Sequence, residues 1–233
     1  QPQLNKLRIF SWNICWEKMM GTQSNNLDGT PCKKHCYNEF GKYFKKNVVN
    51  KYDLIFFQEA SDHYKKYEYN KFIIDDPNVK KNYGIEKHIS SRDAIITLYE
   101  KNIFTLVKKY YGDLRTGLNK SQGGRPFLIL ILENIITNEK ILLCNVHFPH
   151  NKYNTKPKSI KNPFIKNIKG LREREVAEII LKKLFEKYRK DYNRIIVVGD
   201  HNYAYSSKKF TQKISPEPSS LIFRNNKSAR PNT

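Results

Sequence analysis

The sequence predicts an α/β protein, and three observations predict it. Arg194-Ile195-Ile196-Val197-Val198 contains a run of branched apolar residues without polar alternation, the pattern of a strand buried on both faces. Two longer stretches, Tyr37 to Val49 and Leu171 to Arg189, carry apolar residues at helical spacing. The first lies between strand-like runs at 7–14 and 53–58, the order required for a crossover helix joining two parallel strands.

Taken in order, residues 7–14 form the first strand and deliver Asn13. Residues 17–36 hold Gly21, Asn25-Asn26, Asp28-Gly29 and Pro31, a long loop. The helix from Tyr37 sets Phe40, Tyr43, Phe44 and Val48 on one side and returns the chain to the strand 53–58. Ser61-Asp62-His63 reads as a polar loop or helix start, and residues 64–88 show little periodicity beyond a short strand at Phe72-Ile73-Ile74. Ala94 to Tyr99 and Ile103 to Val107 are β-prone runs divided by a short polar link, the pattern of a hairpin. Gly112 to Gly124 is a loop, Pro126 opens the apolar run Phe127–Leu132, and Asn134 to Lys140 turns the chain into the strand ending at His147. Residues 151–170 contain six lysines, two prolines and no acid, which suits a basic flap. In the second helix Ala177, Ile180, Leu181, Leu184, Phe185 and Tyr188 make one apolar stripe, and the anchor strand at 194 follows. In the polar tail after Lys208 only Leu221-Ile222-Phe223 is strand-like.

Four apolar strands end in chemically useful groups. The first runs into Asn13, the second into Gln58-Glu59, a third into Asn145-x-His147, and the anchor strand into Gly199-Asp200-x-Asn202. Ligands of α/β sheets bind at such strand ends. A carboxylate can hold a hard divalent cation and another can orient a water, while imidazole and amides can bind phosphoryl oxygens. A buried strand-end carboxylate such as Glu59 is costly without a compensating cation or basic neighbour.

In that order the four motifs resemble the endonuclease/exonuclease/phosphatase superfamily, the deoxyribonuclease I-like fold, from about residue 7 to residue 205. Arg125-Pro126 adds to the likeness. It stands where deoxyribonuclease I-like nucleases and the cytolethal distending toxin nuclease subunit carry a phosphate-contacting arginine. The resemblance implies a sandwich of two β-sheets packed face to face with helices outside, one domain over 1–233. It implies a Mg²⁺-dependent phosphodiesterase, with Mn²⁺ as a substitute, acting as a nuclease. Glu59 and Asn13 would hold the metal; His147, Asp200 and Asn202 would be catalytic, and Arg125 would bind substrate. Lipid-directed relatives share the Asn-x-His motif, so the alternative is a phosphoinositide phosphatase or sphingomyelinase-like lipid phosphoesterase, with an acidic lipid headgroup as partner. The family pattern closes with an Asp-His pair, whereas no histidine follows His201 here. The expectation is a C-terminally incomplete fold, and a catalytically impaired polyanion-binding module is the corresponding third reading.

Composition agrees with a folded chain that meets polyanions. Over 233 residues the hydrophobic share is 39%, enough for a substantial core. The formal net charge of +21 suggests a polyanionic partner such as nucleic acid or an acidic membrane face, although the same Lys, Asn, Ile and Tyr bias also follows from AT-rich coding. No apolar run reaches the roughly 18 residues of a membrane span. Residues 1–6 are polar, without a visible signal peptide, and cysteines are few, so an intracellular monomer is expected. Cys15 and Cys144 read as small buried residues, and Cys32-x-x-x-Cys36 as a thiol pair or lone disulfide rather than a zinc site.

Overall fold

A computed structural model describes residues 7–14, 35–60, 72–90, 93–114, 124–149, 173–202 and 221–224. The strands are β1 (Ile9–Asn13), β2 (Leu54–Gln58), β3 (Tyr83–Ser90), β4 (Asp93–Glu100), β5 (Phe104–Asp113), β6 (Pro126–Asn134), β7 (Lys140–His147), β8 (Arg194–Asp200) and β9 (Leu221–Arg224). The helices are α1 (His35–Asn47), α2 (Pro77–Asn82) and α3 (Glu173–Lys187). One sheet has the order β1-β2-β4-β3 and the other β5-β6-β7-β8-β9.

Strands without polar alternation need a core on each side, and here each side has one. Leu54 and Phe56 of β2 and Ile95 of β4 face Leu128, Leu130, Leu143, Ile196 and Val198 of the other sheet. The alternate residues Ile55 and Phe57 turn outward onto Phe40 and Phe44 of α1 and Val48 just after it. In the second sheet Ile129, Cys144, Ile195 and Val197 turn outward onto Val176, Ile180, Leu181 and Phe185 of α3. The result is a helix–sheet–sheet–helix sandwich, in which a period of two distributes every side chain between an inter-sheet core and a helix-facing core. The α/β sandwich of two sheets flanked by helices is therefore present, and β1 and β2 are parallel as the crossover requires. β9 adds beside β8 in parallel.

Below the rim one polar group joins the two sheets. Asn145 of β7 accepts from Gln58 Nε2 at 2.8 Å and donates to the carbonyls of Phe57 and Ile96 and the hydroxyl of Thr97. All its partners lie in the opposite sheet, so it holds the facing register as apolar packing alone does not.

Two expectations are corrected. The runs at 94–99 and 103–107 are not a hairpin: β4 lies in the first sheet and β5 in the second. β4 pairs β2 on one side and β3 on the other, so no edge remains for β5, which instead pairs β6. Nor is Phe72-Ile73-Ile74 a strand. Phe72 and Ile73 lie in a helical turn, and the Phe72 ring rests on Gly41 of α1, where a Cβ would come within 2.3 Å. The apolar triplet covers a helix rather than joining a sheet. The strand hidden in that region is β3. Its residues facing the other sheet are Glu86, His88 and Ser90, so only the alternate side, with Tyr83 and Ile85, packs into an apolar core.

Among the described residues no helix is long and apolar enough to cross a membrane. The basic stretch 151–170, Ser61-Asp62-His63, His150, Cys15 and the side chains of Cys32 and Cys36 lie outside the described residues.

Candidate active site

The parallel pairs bring the strand ends together. In the first sheet Asn13 stands beside Gln58, so the next residue, Glu59, emerges at the same rim. In the second, His147 stands beside Asp200. The sheets face one another, so both pairs share one rim. The Asn13 side-chain amide spans it, donating to Glu59 Oε1 at 3.0 Å and to Asp200 Oδ2 at 2.6 Å. His147 Nε2 is 3.7 Å from Glu59 Oε1 and 4.0 Å from Asp200 Oδ2.

Backbone geometry sets these groups. Glu59 has φ of 54°, a left-handed conformation costly for a residue other than glycine. That conformation ends β2 and sends the carboxylate into the rim. Gly199 has φ of 149°, and a Cβ there would come within 1.9 Å of the Val146 carbonyl oxygen. Only glycine lets β8 lie that close to β7 just before Asp200.

His147 is walled in at 2% side-chain exposure, while Glu59 and Asp200 keep 20% and 18%. Its Nδ1 lies 2.5 Å from Asp93 Oδ2. The same Asp93 oxygen is 3.6 Å from Arg125 Nη1. Asp93 opens β4, directly before a buried apolar run, and the sequence reading assigned it no role. A carboxylate at the edge of an all-apolar strand was the available signal, because such a group requires a cationic partner.

Asn202 takes a supporting position. Its backbone N–H donates to Asp200 Oδ1 at 2.8 Å, and its side-chain nitrogen to the Phe148 carbonyl at 2.7 Å. Arg174 of α3, buried and paired with Glu178, donates to the carbonyls of His201 and Asn202 and so clamps this loop from below. His201 is buried, its ring 5.5 Å from that of Phe148.

The electrostatics are those of an acidic cluster awaiting positive charge. Burial pushes the Glu59 carboxyl above the ordinary carboxylate range; Asp93 and Asp200 add to this, against His147 and the Asn13 hydrogen bond. Burial opposes charge on His147 as well, but Asp93, by its charge and hydrogen bond, and Glu59 outweigh it and the opposing Arg125. The imidazolium is held above the ordinary histidine range.

A divalent cation fits these residues. One ligand atom each from Glu59, His147 and Asp200 lies within 4.8 Å of the others. His147 Nε2 and Arg125 Nε are buried without a hydrogen-bond partner among the described residues, and as N–H donors they suit an anionic oxygen beside the cation rather than the cation itself. Two converging carboxylates and an amide are a hard-ion donor set. The geometry brings Asn13, Glu59, His147 and Asp200 into direct contact, Arg125 joins through Asp93, and Asn202 through Asp200.

No protein-family model matches the sequence, and no curated protein does. Solved structures do match. An endonuclease/exonuclease/phosphatase family protein from Bacteroides thetaiotaomicron superposes over 88% of this chain and 66% of its own, at 15% identity and a TM-score of 0.55. The human Nocturnin catalytic domain, solved with a sulfate anion, covers 88% of this chain and 68% of its own, at 13% identity and a TM-score of 0.57. ANGEL2, a 2′,3′-cyclic phosphatase solved with adenosine-2′,3′-vanadate, covers 88% and 56%, at 17% identity and a TM-score of 0.59. The chain thus spans between about half and two thirds of these proteins' length. At this identity the likeness establishes the fold, which is the deoxyribonuclease I-like sandwich of the endonuclease/exonuclease/phosphatase proteins.

Proposed function

We propose that this chain is a divalent-metal-dependent hydrolase of phosphoric esters, and that its substrate is the phosphodiester of nucleic acid. One observation carries the reading. Two facing sheets deliver Glu59, Asp200 and His147 to one rim, with the Asn13 amide bridging the carboxylates at 3.0 and 2.6 Å. An ordinary structural cluster would disperse or pair those acids; here they share one amide donor, and Glu59 is held in a strained backbone to reach it.

Glu59 and Asn13 would hold Mg²⁺, or Mn²⁺ in its place. A bound cation supplies Lewis-acid polarisation of a phosphoryl oxygen. Asp200, kept in orientation by the Asn202 N–H, accepts a hydrogen bond from the attacking water. His147 presents Nε2 to the same space because Nδ1 is committed to Asp93, and as imidazolium it binds a phosphoryl oxygen and the charge that develops there. Arg125, at 11% side-chain exposure beside Asp93, adds a second fixed positive charge on that side. The net charge of +21 favours encounter with a polyanion, nucleic acid and acidic lipid surfaces alike. The 2′,3′-cyclic phosphatase ANGEL2, which shares the fold, was solved with a nucleoside vanadate.

Hydrolysis of plasmid DNA, RNA and phosphoinositide in Mg²⁺, each with an EDTA control, tests this. Cleavage of DNA or RNA that EDTA abolishes is expected. Preferential release of phosphate from the lipid would overturn the nuclease assignment, and inertness toward all three would overturn the hydrolase reading.

A further inference from the structure

Strands β3 and β5 are the outer strands of their respective sheets, and they meet across the edge of the sandwich in three rungs. Lys109 Nζ donates to Glu86 Oε2 at 2.5 Å. The His88 and Tyr111 rings lie 4.7 Å apart between centroids, tilted by 36°. The Ser90 hydroxyl donates to Asp113 Oδ2. Each rung is two residues along both strands from the next, about 7 Å.

The last rung is fixed to the candidate active site. Asp113 Oδ1 accepts the Arg125 backbone N–H at 3.0 Å, and Arg125 lies beside the Asp93–His147 pair. One rung away stands Tyr111, the most solvent-open aromatic among the described residues' large exposed apolar groups at 61%. Its ring is not loose. His88 braces it, and Lys109 Nζ lies 5.7 Å from its centroid. Burial keeps the His88 imidazole below the ordinary histidine range, against Asp113 and a Gly112 hydrogen bond, so the brace is an uncharged ring at neutral pH. A fixed aromatic that keeps most of its surface in water, beside an ammonium and one strand step from a phosphate-binding arginine, has the form of a base-stacking platform. Packing does not account for it, since β5 residues facing the inter-sheet core nearer its start, such as Phe104, are buried.

We propose that Tyr111, braced by His88 and Lys109, stacks the base of a nucleotide adjoining the phosphate held at His147 and Arg125, so that the ligand is single-stranded nucleic acid. The subsite rests on the hydrolase reading for the phosphate it adjoins. It is tested separately by binding of the full chain in EDTA, where cleavage is absent. Fluorescence anisotropy is measured with a labelled oligothymidylate and with an abasic strand of equal length. The wild type should prefer the base-bearing strand by about tenfold or more. Tyr111→Ala should bring the two affinities within about twofold of each other, and Tyr111→Phe should keep the preference because the ring remains. Equal wild-type affinities, no binding of either strand, or a preference that survives Tyr111→Ala would overturn the subsite. Binding with the predicted preference but no hydrolysis in Mg²⁺ would leave the subsite standing and remove the hydrolase reading instead.

Discussion

His147 Nδ1 lies 2.5 Å from Asp93 Oδ2, though the two residues are 54 positions apart and belong to different sheets. The contact decides which edge of the imidazole faces the carboxylates. With Nδ1 turned to Asp93, Nε2 is left facing Glu59 at 3.7 Å and Asp200 at 4.0 Å. A sheet-to-sheet ion pair thus orients a strand-end histidine toward the cluster.

Asp93→Asn should lower kcat/KM on a phosphodiester by about 10²-fold, within the range for losing one fixed stabiliser of developing charge. It should also change the pH profile. Asp93 is the main group raising His147 against burial, so imidazolium persists above the ordinary histidine value and is lost as pH rises through the raised one. The pair's contribution to stability follows the same window: present below the unfolded histidine value, lost as pH climbs through the folded value. In the variant the alkaline limb of the rate profile should move to lower pH. An unmoved limb would deny Asp93 this part.

Glu59→Gln should abolish cation uptake, read by calorimetry with Mg²⁺ or Mn²⁺, and cut activity by about 10²-fold or more. Its stability effect runs the other way. An acid whose folded pKa is raised destabilises the fold when ionised, so the cation-free variant should melt no lower than the cation-free wild type at neutral pH. Added Mg²⁺ should raise the wild-type Tm only. A Mg²⁺-induced rise in the variant would place the cation elsewhere.

Asn145→Leu removes the polar tie between the sheets and leaves Gln58 Nε2 without its buried acceptor. A loss of about 2–3 kcal/mol is expected from urea unfolding. Because Gln58 is next to Glu59, weaker cation affinity should accompany it. Full stability in the variant would show that apolar packing alone sets the register.

Asp76 caps α2, accepting from the N–H groups of Asn78 and Val79 and pairing with Lys45 at 2.8 Å. Burial alone would raise its carboxyl, but Lys45 and those two N–H groups outweigh it and hold the carboxyl below the usual range. Asp76→Ala should cost about 1 kcal/mol at neutral pH. The sign of the shift means that this stability is present above the unfolded carboxylate value and lost as pH falls through the depressed one. Urea midpoints of the two proteins should therefore differ at pH 7 and converge in acid.

The amino-acid sequence determined the apolar strands that carry the cluster, and their ends. Runs such as Leu54–Phe57 and Ile195–Val198 have no polar face, which demands burial on two sides, and Asn13, Glu59, His147 and Asp200 stand at the points where those runs stop. Local pattern could express this because burial is paid for residue by residue along a strand. Tertiary structure alone decided which strands became neighbours. The link at 101–103 looks the same in sequence whether it closes a hairpin or crosses between sheets, and only the prior claim of β2 and β3 on both edges of β4 settles it. For the same reason the partner of Asp93 was not legible. A carboxylate before an apolar strand carries no mark of a histidine 54 residues away until two sheets fold face to face and bring the two to hydrogen-bonding distance.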